Sequence, residues 1–405
     1  MKFQIVEEKK VYASKARIKV IGVGGAGGNA VNNMISAGLQ GVEFIVANTD
    51  VQDLERSLSP VKIQLGPEVT MGLGAGGDPE VGKMAAEESI EEIREALDEP
   101  DMVFITAGMG GGTGTGAAPI IARECKSIGA LTVGVVTKPF EFEGERRMKR
   151  ALEGIENLRK EVDSLIVIPN ERLKSIGTKA AGFKELLARA DEVLLNAVRG
   201  ISDLITSQGF INLDFADVKK VMQMKGTALM GRGSASGDKR ALEAAEAAIK
   251  SPLLEDISIK GAKGLLMNIT GPSNMSMEEI DAACTFLKNE VSEDAEIYWG
   301  VVFDDSLGDE VQITVIATGI ESEEVMKKEE EERSKYKNVV EFRTGKLRDA
   351  TPEDMKEPWT VRRKSKEEKR VSQNEEKRES FFERLNKKIN LDYPTFLRLK
   401  TEENK

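Results

Sequence analysis

Six short runs that are apolar throughout, each followed by a turn and then a helical pattern, constrain this chain more than any other feature. They are RIKVIGVG, VEFIVANTD, VKIQLG, MVFITAGM, LTVGVVTKP and SLIVIPN, spread between Arg17 and Asn170. A strand with one wet face alternates polar and apolar residues, so continuous apolar runs predict a parallel sheet buried on both faces by helices. From Phe183 the spacing changes: Leu186, Leu187, Ala190, Leu194, Val198, Ile201 and Ile205 recur at helical period. This predicts one amphipathic helix of roughly 25 residues, about 38 Å long, whose stripe is core packing. A second αβ pattern fills Thr227 to Ile320, with strands TALMGRG, GLLMNIT, AEIYWGVVF and VQITVIATG and helices around Leu242–Ile249 and Met277–Asn289. Its last three strands are long enough to make a small sheet with both helices on one face.

With 405 residues, 40% of them hydrophobic, the chain has material for two domains. It contains no histidine and only two cysteines, Cys125 and Cys284. Imidazole catalysis, a Cys/His zinc site and a disulfide framework are thereby excluded or nearly so, and any site must run on carboxylates, hydroxyls, amides and backbone groups. The net charge of −11 argues against general nucleic-acid binding. No apolar run reaches the roughly 18 residues of a membrane span, and MKFQIVEEKK has no leader-like core, so a cytoplasmic protein without direct membrane insertion is expected. After about Glu321 roughly half of the residues are charged, 23 basic against 21 acidic, so the body carries the negative charge. Such a stretch reads as a solvated tether. It ends in an aromatic and aliphatic cluster, Leu391 to Arg398, which reads as a docking motif or as a frayed end.

Two glycine loops follow strands. The first, Gly22 to Asn29, contains GxGxxG, and Asp50 lies at the end of the next strand, so a nicotinamide-dependent oxidoreductase is a competitor. The second runs from Gly108 to Gly116 as GMGGGTGTG. Residues without side chains let backbone N–H groups crowd around a phosphate, threonines add hydroxyls, and a helix N-terminus adds partial positive charge. Two such loops on one sheet suit a long polyphosphate, and a third, Gly72 to Pro79, is placed to close over its end.

Four polar side chains stand near strand or helix ends. Glu143 and Arg147 lie four apart, either a surface ion pair or a ribose and phosphate or base contact. Asn170 and Asp191 have the donor and acceptor sets to read guanine, with structural capping as the alternative. Asp214 and Asp217, three apart in NLDFADV, are either an N-cap with a first-turn acid or a catalytic pair. A full long helix separates them from the glycine loops, so only a head-to-tail contact between subunits would bring them to the phosphates.

GGGTGTG at Gly110–Gly116, together with GVGGAGGNAV, NTD at Asn48–Asp50, GLGAGGDPEVG, KPFEFEG, NLDFADV, SPLLEDI, VQITVIATGI and LDYPTFLR, closely resembles the FtsZ family of tubulin-like bacterial cell-division GTPases. The resemblance runs from Arg17 to Ile320 and resumes over the last dozen residues. It implies an α/β, tubulin-like fold: a Rossmann-like parallel-sheet GTP-binding domain (17–180) after a short extension (1–16), a central helix and acid-pair loop (181–224), and a second, smaller α+β domain (225–320). A charged, disordered linker (321–388) and a partner-binding peptide (389–405) complete it. The implied activity is GTP hydrolysis in head-to-tail filaments at midcell; the alternatives are the nicotinamide-dependent oxidoreductase and a nucleotide-gated scaffold that binds GTP without turnover. Phosphates would be held by Gly25, Ala26, Gly27, Gly28, Asn29, Gly112, Thr113 and Gly114, with Asn48 also at the nucleotide. Glu143 would hold the ribose, and Arg147, Asn170 and Asp191 the ribose or guanine. Asp214 and Asp217 would act on the neighbouring subunit's GTP, with Mg²⁺ held mainly through the phosphates rather than by dedicated side chains. Leu391–Arg398 would bind membrane-anchoring and regulatory division proteins. Leu187 stands where the family often has a stacking Phe.

Overall fold

In the computed structural model the six apolar runs form β1 (Ile18–Val23), β2 (Glu43–Asn48), β3 (Val61–Gln64), β4 (Met102–Gly108), β5 (Leu131–Lys138) and β6 (Ser164–Pro169). They lie in the order 3-2-1-4-5-6 and all pair in parallel. The structure describes residues 16–174, 182–206, 211, 213–224, 226–251, 254, 259–320, 338–340 and 347–349. Between the strands run α1 (Gly24–Ser36), α2 (Val51–Arg56), α3 (Pro67–Thr70), α4 (Pro79–Glu88), α5 (Ile90–Leu97), α6 (Thr113–Ser127) and α7 (Glu145–Glu161). Successive strand residues point to opposite faces. Val20, Phe104 and Val133 meet α1 and the long helix α8 (Phe183–Thr206) on one side, while Ile21, Ile105 and Val136 meet α4 to α7 on the other. Double coverage accounts for the apolar runs of β1, β2, β4, β5 and β6; β3, at the sheet edge, buries only Ile63 of VKIQ, so its run corrects the expectation.

The 24 residues of α8 span about 36 Å. Near its start it packs on the turn that follows β6. Toward its end Arg199 donates to the carbonyl of Ala37 at 3.1 Å, just after α1, and Thr206 lies beside Gly41, just before β2. The helix therefore runs from the edge where the parallel strands finish to the edge where they begin.

Beyond it come α9 (Phe215–Met222), β7 (Thr227–Ser236), α10 (Arg240–Ile249), β8 (Gly264–Gly271), α11 (Met277–Asn289), β9 (Glu296–Phe303) and β10 (Glu310–Ile320). Ala241, Ala245, Ala283 and Leu287 place α10 and α11 in one core with Leu265, Met267 and Ile313, so both helices cover the same face. The expected three-strand sheet needs correction. TALMGRG extends to ten residues as β7, pairs along its length with β10, and meets β6 at Ile166 and Ala228, so the ten strands form one continuous order. The glycines that weaken its strand signal are what let α10 lie on it: a Cβ on Gly231 would fall 2.1 Å from the Ala248 carbonyl oxygen.

Contacts divide the chain into Met1–Ser322 and Glu323–Lys405. Within the second unit β11 (Asn338–Val340) pairs antiparallel with β12 (Leu347–Asp349), a ribbon inside a stretch whose charge predicts no regular structure. The terminal Leu391–Arg398 motif lies outside the described residues. Among the described residues no helix is long and apolar enough to cross a membrane.

Candidate functional site

β1 and β4 are neighbours in register, with Val23 beside Ala107, so α1 and α6 begin at the same edge of the sheet. Neither N-terminus has a side-chain cap. Their first-turn N–H groups thus converge with the positive ends of two helix dipoles, the arrangement that suits an anionic ligand. Gly25, Ala26 and Asn29 are exposed on the opening turns of α1, whereas Gly27 and Gly28 are buried. A Cβ on Gly27 would fall 2.4 Å from the carbonyl oxygen of Thr106, so this glycine brings α1 onto β4.

Gly112 requires a corrected reason. A Cβ there would lie 2.8 Å from Ala75 Cβ and 2.9 Å from Asp78 N, so it would meet the third loop rather than fill a space reserved for phosphate. That loop is fixed in front by Val51 N–H donating to the Gly72 carbonyl and Gly74 N–H to the Thr49 carbonyl, both at 3.1 Å. The threonines are also partly committed. Thr113 and Thr49 share a hydroxyl hydrogen bond of 2.6 Å, and buried Thr115 accepts from Gly110 N–H at 2.9 Å, folding the loop onto itself. Thr49 was not singled out in the sequence; its place in NTD immediately after a strand is the signal.

Asn48 is buried at the end of β2, donating to Asp53 at 3.3 Å and accepting from Asp50 N–H at 3.3 Å. It shapes the turn and lines a cavity of about 230 Å³ with Gly25, Gly28, Asn29, Asp53 and Arg56. Asp50 caps α2 by accepting from Gln52 N–H at 2.9 Å. The acid that a dinucleotide site would turn toward a ribose is therefore engaged with its own backbone.

Glu143 accepts from Phe140 N–H at 2.8 Å and pairs with Arg147 at 3.0 Å. The surface pair therefore exists, and it abuts the second glycine loop, because a Cβ on Gly110 would fall 2.6 Å from the Arg147 carbonyl oxygen. Asn170 follows β6 and is 7% exposed; its Oδ1 has no hydrogen-bond partner among the described residues. An orphaned buried acceptor costs about 1–3 kcal/mol, which a ligand N–H would recover. Asp191 sits eight residues inside α8, so capping does not describe it. Burial pushes its carboxyl up to about 6. Leu187, one turn earlier, is exposed.

Asp214 occupies the N-cap position of α9, yet its side chain caps nothing, and Asp217 stands in the first turn. Among the described residues the Asp214 carboxylate makes no capping bond, while Asp217 takes the first-turn place that the helix dipole favours. Leu213 N–H donates to the Leu204 carbonyl at 3.2 Å, which ties the pair to the far end of α8. Thirteen residues separate Asp191 from Leu204, about 20 Å along the helix. The structure gathers the glycine loops, Glu143 and Arg147 at one edge of the sheet, with Asn170 after β6 at that edge, and sets the acid pair at the other.

Residues 17–178 match the family model of the Tubulin/FtsZ family GTPase domain, and residues 226–321 that of the FtsZ family C-terminal domain. The cell division protein FtsZ of Magnetospirillum gryphiswaldense is 55% identical over 309 residues, covering 76% of this chain and 55% of that protein. Its counterpart from Bartonella bacilliformis is 57% identical over 307 residues, 76% of this chain and 52% of that protein. The chain thus spans about half the length of these curated relatives. An empty FtsZ dimer from M. jannaschii superposes with a TM-score of 0.73 at 43% identity, over 85% of this chain and 95% of the other.

Proposed function

The chain belongs to the tubulin/FtsZ family, and from that premise we propose that it binds GTP on the two glycine loops and hydrolyses it where copies of itself stack head to tail, as a filament-forming protein of cell division. One observation carries the proposal: two helix N-termini without side-chain caps converge at one edge of the sheet, and the Asp214 and Asp217 carboxylates stand at the opposite edge. A single copy cannot bring them together, whereas a translated second copy can, and a contact that does not close propagates as a filament.

On this reading backbone N–H groups of Gly25 to Asn29 and Gly112 to Gly114 surround the phosphates. Glu143 and Arg147 face the ribose beside Gly110. The Asp191 carboxylate accepts from the ring N–H and amino group of guanine, and Oδ1 of Asn170 supplies a further acceptor. Asp214 and Asp217 of the next copy orient the water that attacks the terminal phosphorus as the bridging P–O bond breaks. Mg²⁺ is proposed to be held mainly through phosphate oxygens, where it would neutralise developing charge. Leu391–Arg398 is proposed to bind membrane-anchoring and regulatory division proteins, placing the filament at midcell. The nicotinamide reading is disfavoured by the match of residues 17–178 to the Tubulin/FtsZ family GTPase domain.

The test is phosphate release from GTP as a function of protein concentration, with light scattering read in parallel. Activity per subunit should rise above a threshold at which scattering also rises. Activity that stays flat through dilution would remove the shared site. Mass and absorbance of the nucleotide released on denaturation identify the base independently.

A further inference from the structure

The third glycine loop is unevenly secured. Its front is tied to Thr49 and Val51, and its rear continues into α4, which lies directly on α6: a Cβ on Gly82 would fall 2.5 Å from the Gly112 carbonyl oxygen. At the tip Ala75 is buried beside Gly112, but the glycines around it are less secured. Gly74, Gly76 and Gly77 all take positive φ, 84°, 58° and 76°, and a Cβ on Gly76 would meet nothing within 4 Å. Leu73 is 83% exposed at the same tip. Glycine backbone of this kind loses much conformational entropy on ordering, so each contact that holds it counts.

One side chain reaches the tip from another element. Arg150, in the second turn of α7, donates through Nη1 to the carbonyl of Gly77. A Cβ on Gly77 would lie 3.4 Å from the same nitrogen, so the guanidinium lies against the loop backbone. Its Nε is buried without a partner among the described residues, and the side chain is half-buried. The charged guanidinium makes a charge-assisted hydrogen bond to the Gly77 carbonyl while its stem packs along the protein.

We infer that Arg150 is a positioning residue that latches the tip of the third glycine loop to α7, and thereby sets how long a bound nucleotide's terminal phosphate is retained. The second clause rests on the proposed GTP site, with the third loop closing over the terminal phosphate; the first does not. The latch works through the loop and makes no claim of contact with the nucleotide. KPFEFEG ends at Gly144 and the next motif that carries the family resemblance begins at Asn212, so none of them contains Arg150.

The test has two arms on the full chain as wild type, Arg150→Ala and Arg150→Lys. Amide hydrogen exchange in nucleotide-free protein reads the latch, because Leu73, Gly74 and Asp78 N–H groups are all hydrogen-bonded and their protection is measurable. Exchange over residues 72–78 should be about tenfold faster in Arg150→Ala, the effect of losing one charge-assisted hydrogen bond, and intermediate in Arg150→Lys. Peptides covering β1, β4 and α6 should be unchanged, which also shows that the variant folds. Unchanged loop protection in Arg150→Ala overturns the latch. In the second arm, dissociation of a slowly hydrolysed GTP analogue should accelerate in Arg150→Ala while GDP dissociation stays as in wild type. Equal effects on both nucleotides, or none, overturn the phosphate clause. Wild-type protein that binds no guanine nucleotide would overturn the proposed site instead, leaving the exchange arm to decide the latch.

Discussion

Acid should weaken guanine-nucleotide binding through Asp191. Its carboxyl titrates at about 6 because burial in α8 removes hydration from the charged form. Only that charged form accepts both guanine N–H groups, since a protonated carboxyl turns one oxygen into a donor. The ionised fraction is about nine-tenths at pH 7 and about one-tenth at pH 5, so affinity at the lower pH should be about tenfold weaker. Phosphate oxygens of GTP titrate in the same range, and the assay must cancel them. Equilibrium GTP binding is therefore measured for wild type and Asp191→Asn across this range, and the ratio of the two affinities is taken at each pH. The wild-type advantage should shrink about tenfold between pH 7 and pH 5. A ratio independent of pH would refute the reasoning, because Asp191 would then either stay ionised throughout or not touch the base. The free protein carries the opposite sign: a carboxyl whose folded pKa is raised favours folding below its unfolded value, and that contribution is lost as pH rises through about 6.

Asp214→Ala and Asp217→Ala should each nearly abolish turnover in steady-state phosphate release while leaving monomer GTP affinity close to wild type; a large affinity loss in dilute protein would place them in the subunit's own pocket. Gly112→Ser should weaken GTP binding and assembly together, because its Cβ would sit 2.8 Å from Ala75 and push the third loop away, and faster exchange over residues 72–78 should accompany the loss. Gly27→Ala should lower thermal stability, since overpacking against the Thr106 carbonyl costs about 1–3 kcal/mol and outweighs the roughly 1 kcal/mol that alanine gains in a helix. Gly111→Ala, with nothing within 4 Å of its Cβ, should melt as wild type does. Deleting Leu391–Arg398 should leave purified GTPase activity and filaments unchanged and abolish recruitment to the membrane in cells; normal rings from the truncated protein would dismiss the docking motif.

What the sequence determines by itself follows from periodicity and from missing side chains. Continuous apolar runs specify a sheet covered on both faces, and the stripe from Leu186 to Ile205 specifies the long helix, because burial acts on every residue along those stretches. The loops were legible for a similar reason: a run such as Gly110 to Gly116 has few uses besides close backbone approach. Which approach was not legible. Gly112 answers to Ala75 and Asp78, Gly27 to Thr106, and Gly231 to α10, contacts made by segments distant along the chain. The ambiguous pairs show the same limit. Spacing allows Asp214 to be a cap, and only the fold reveals a carboxylate in the cap position that caps nothing. Spacing allows Glu143 and Arg147 to be a surface pair, and only the fold sets that pair against Gly110. Thr49 meeting Thr113, and Arg150 reaching Gly77, have no local pattern at all, since each joins two elements whose relation exists only once the sheet is assembled. Local pattern decides which elements form and which face they bury; which side chain meets which glycine loop is decided by the packing of elements that sequence distance does not order.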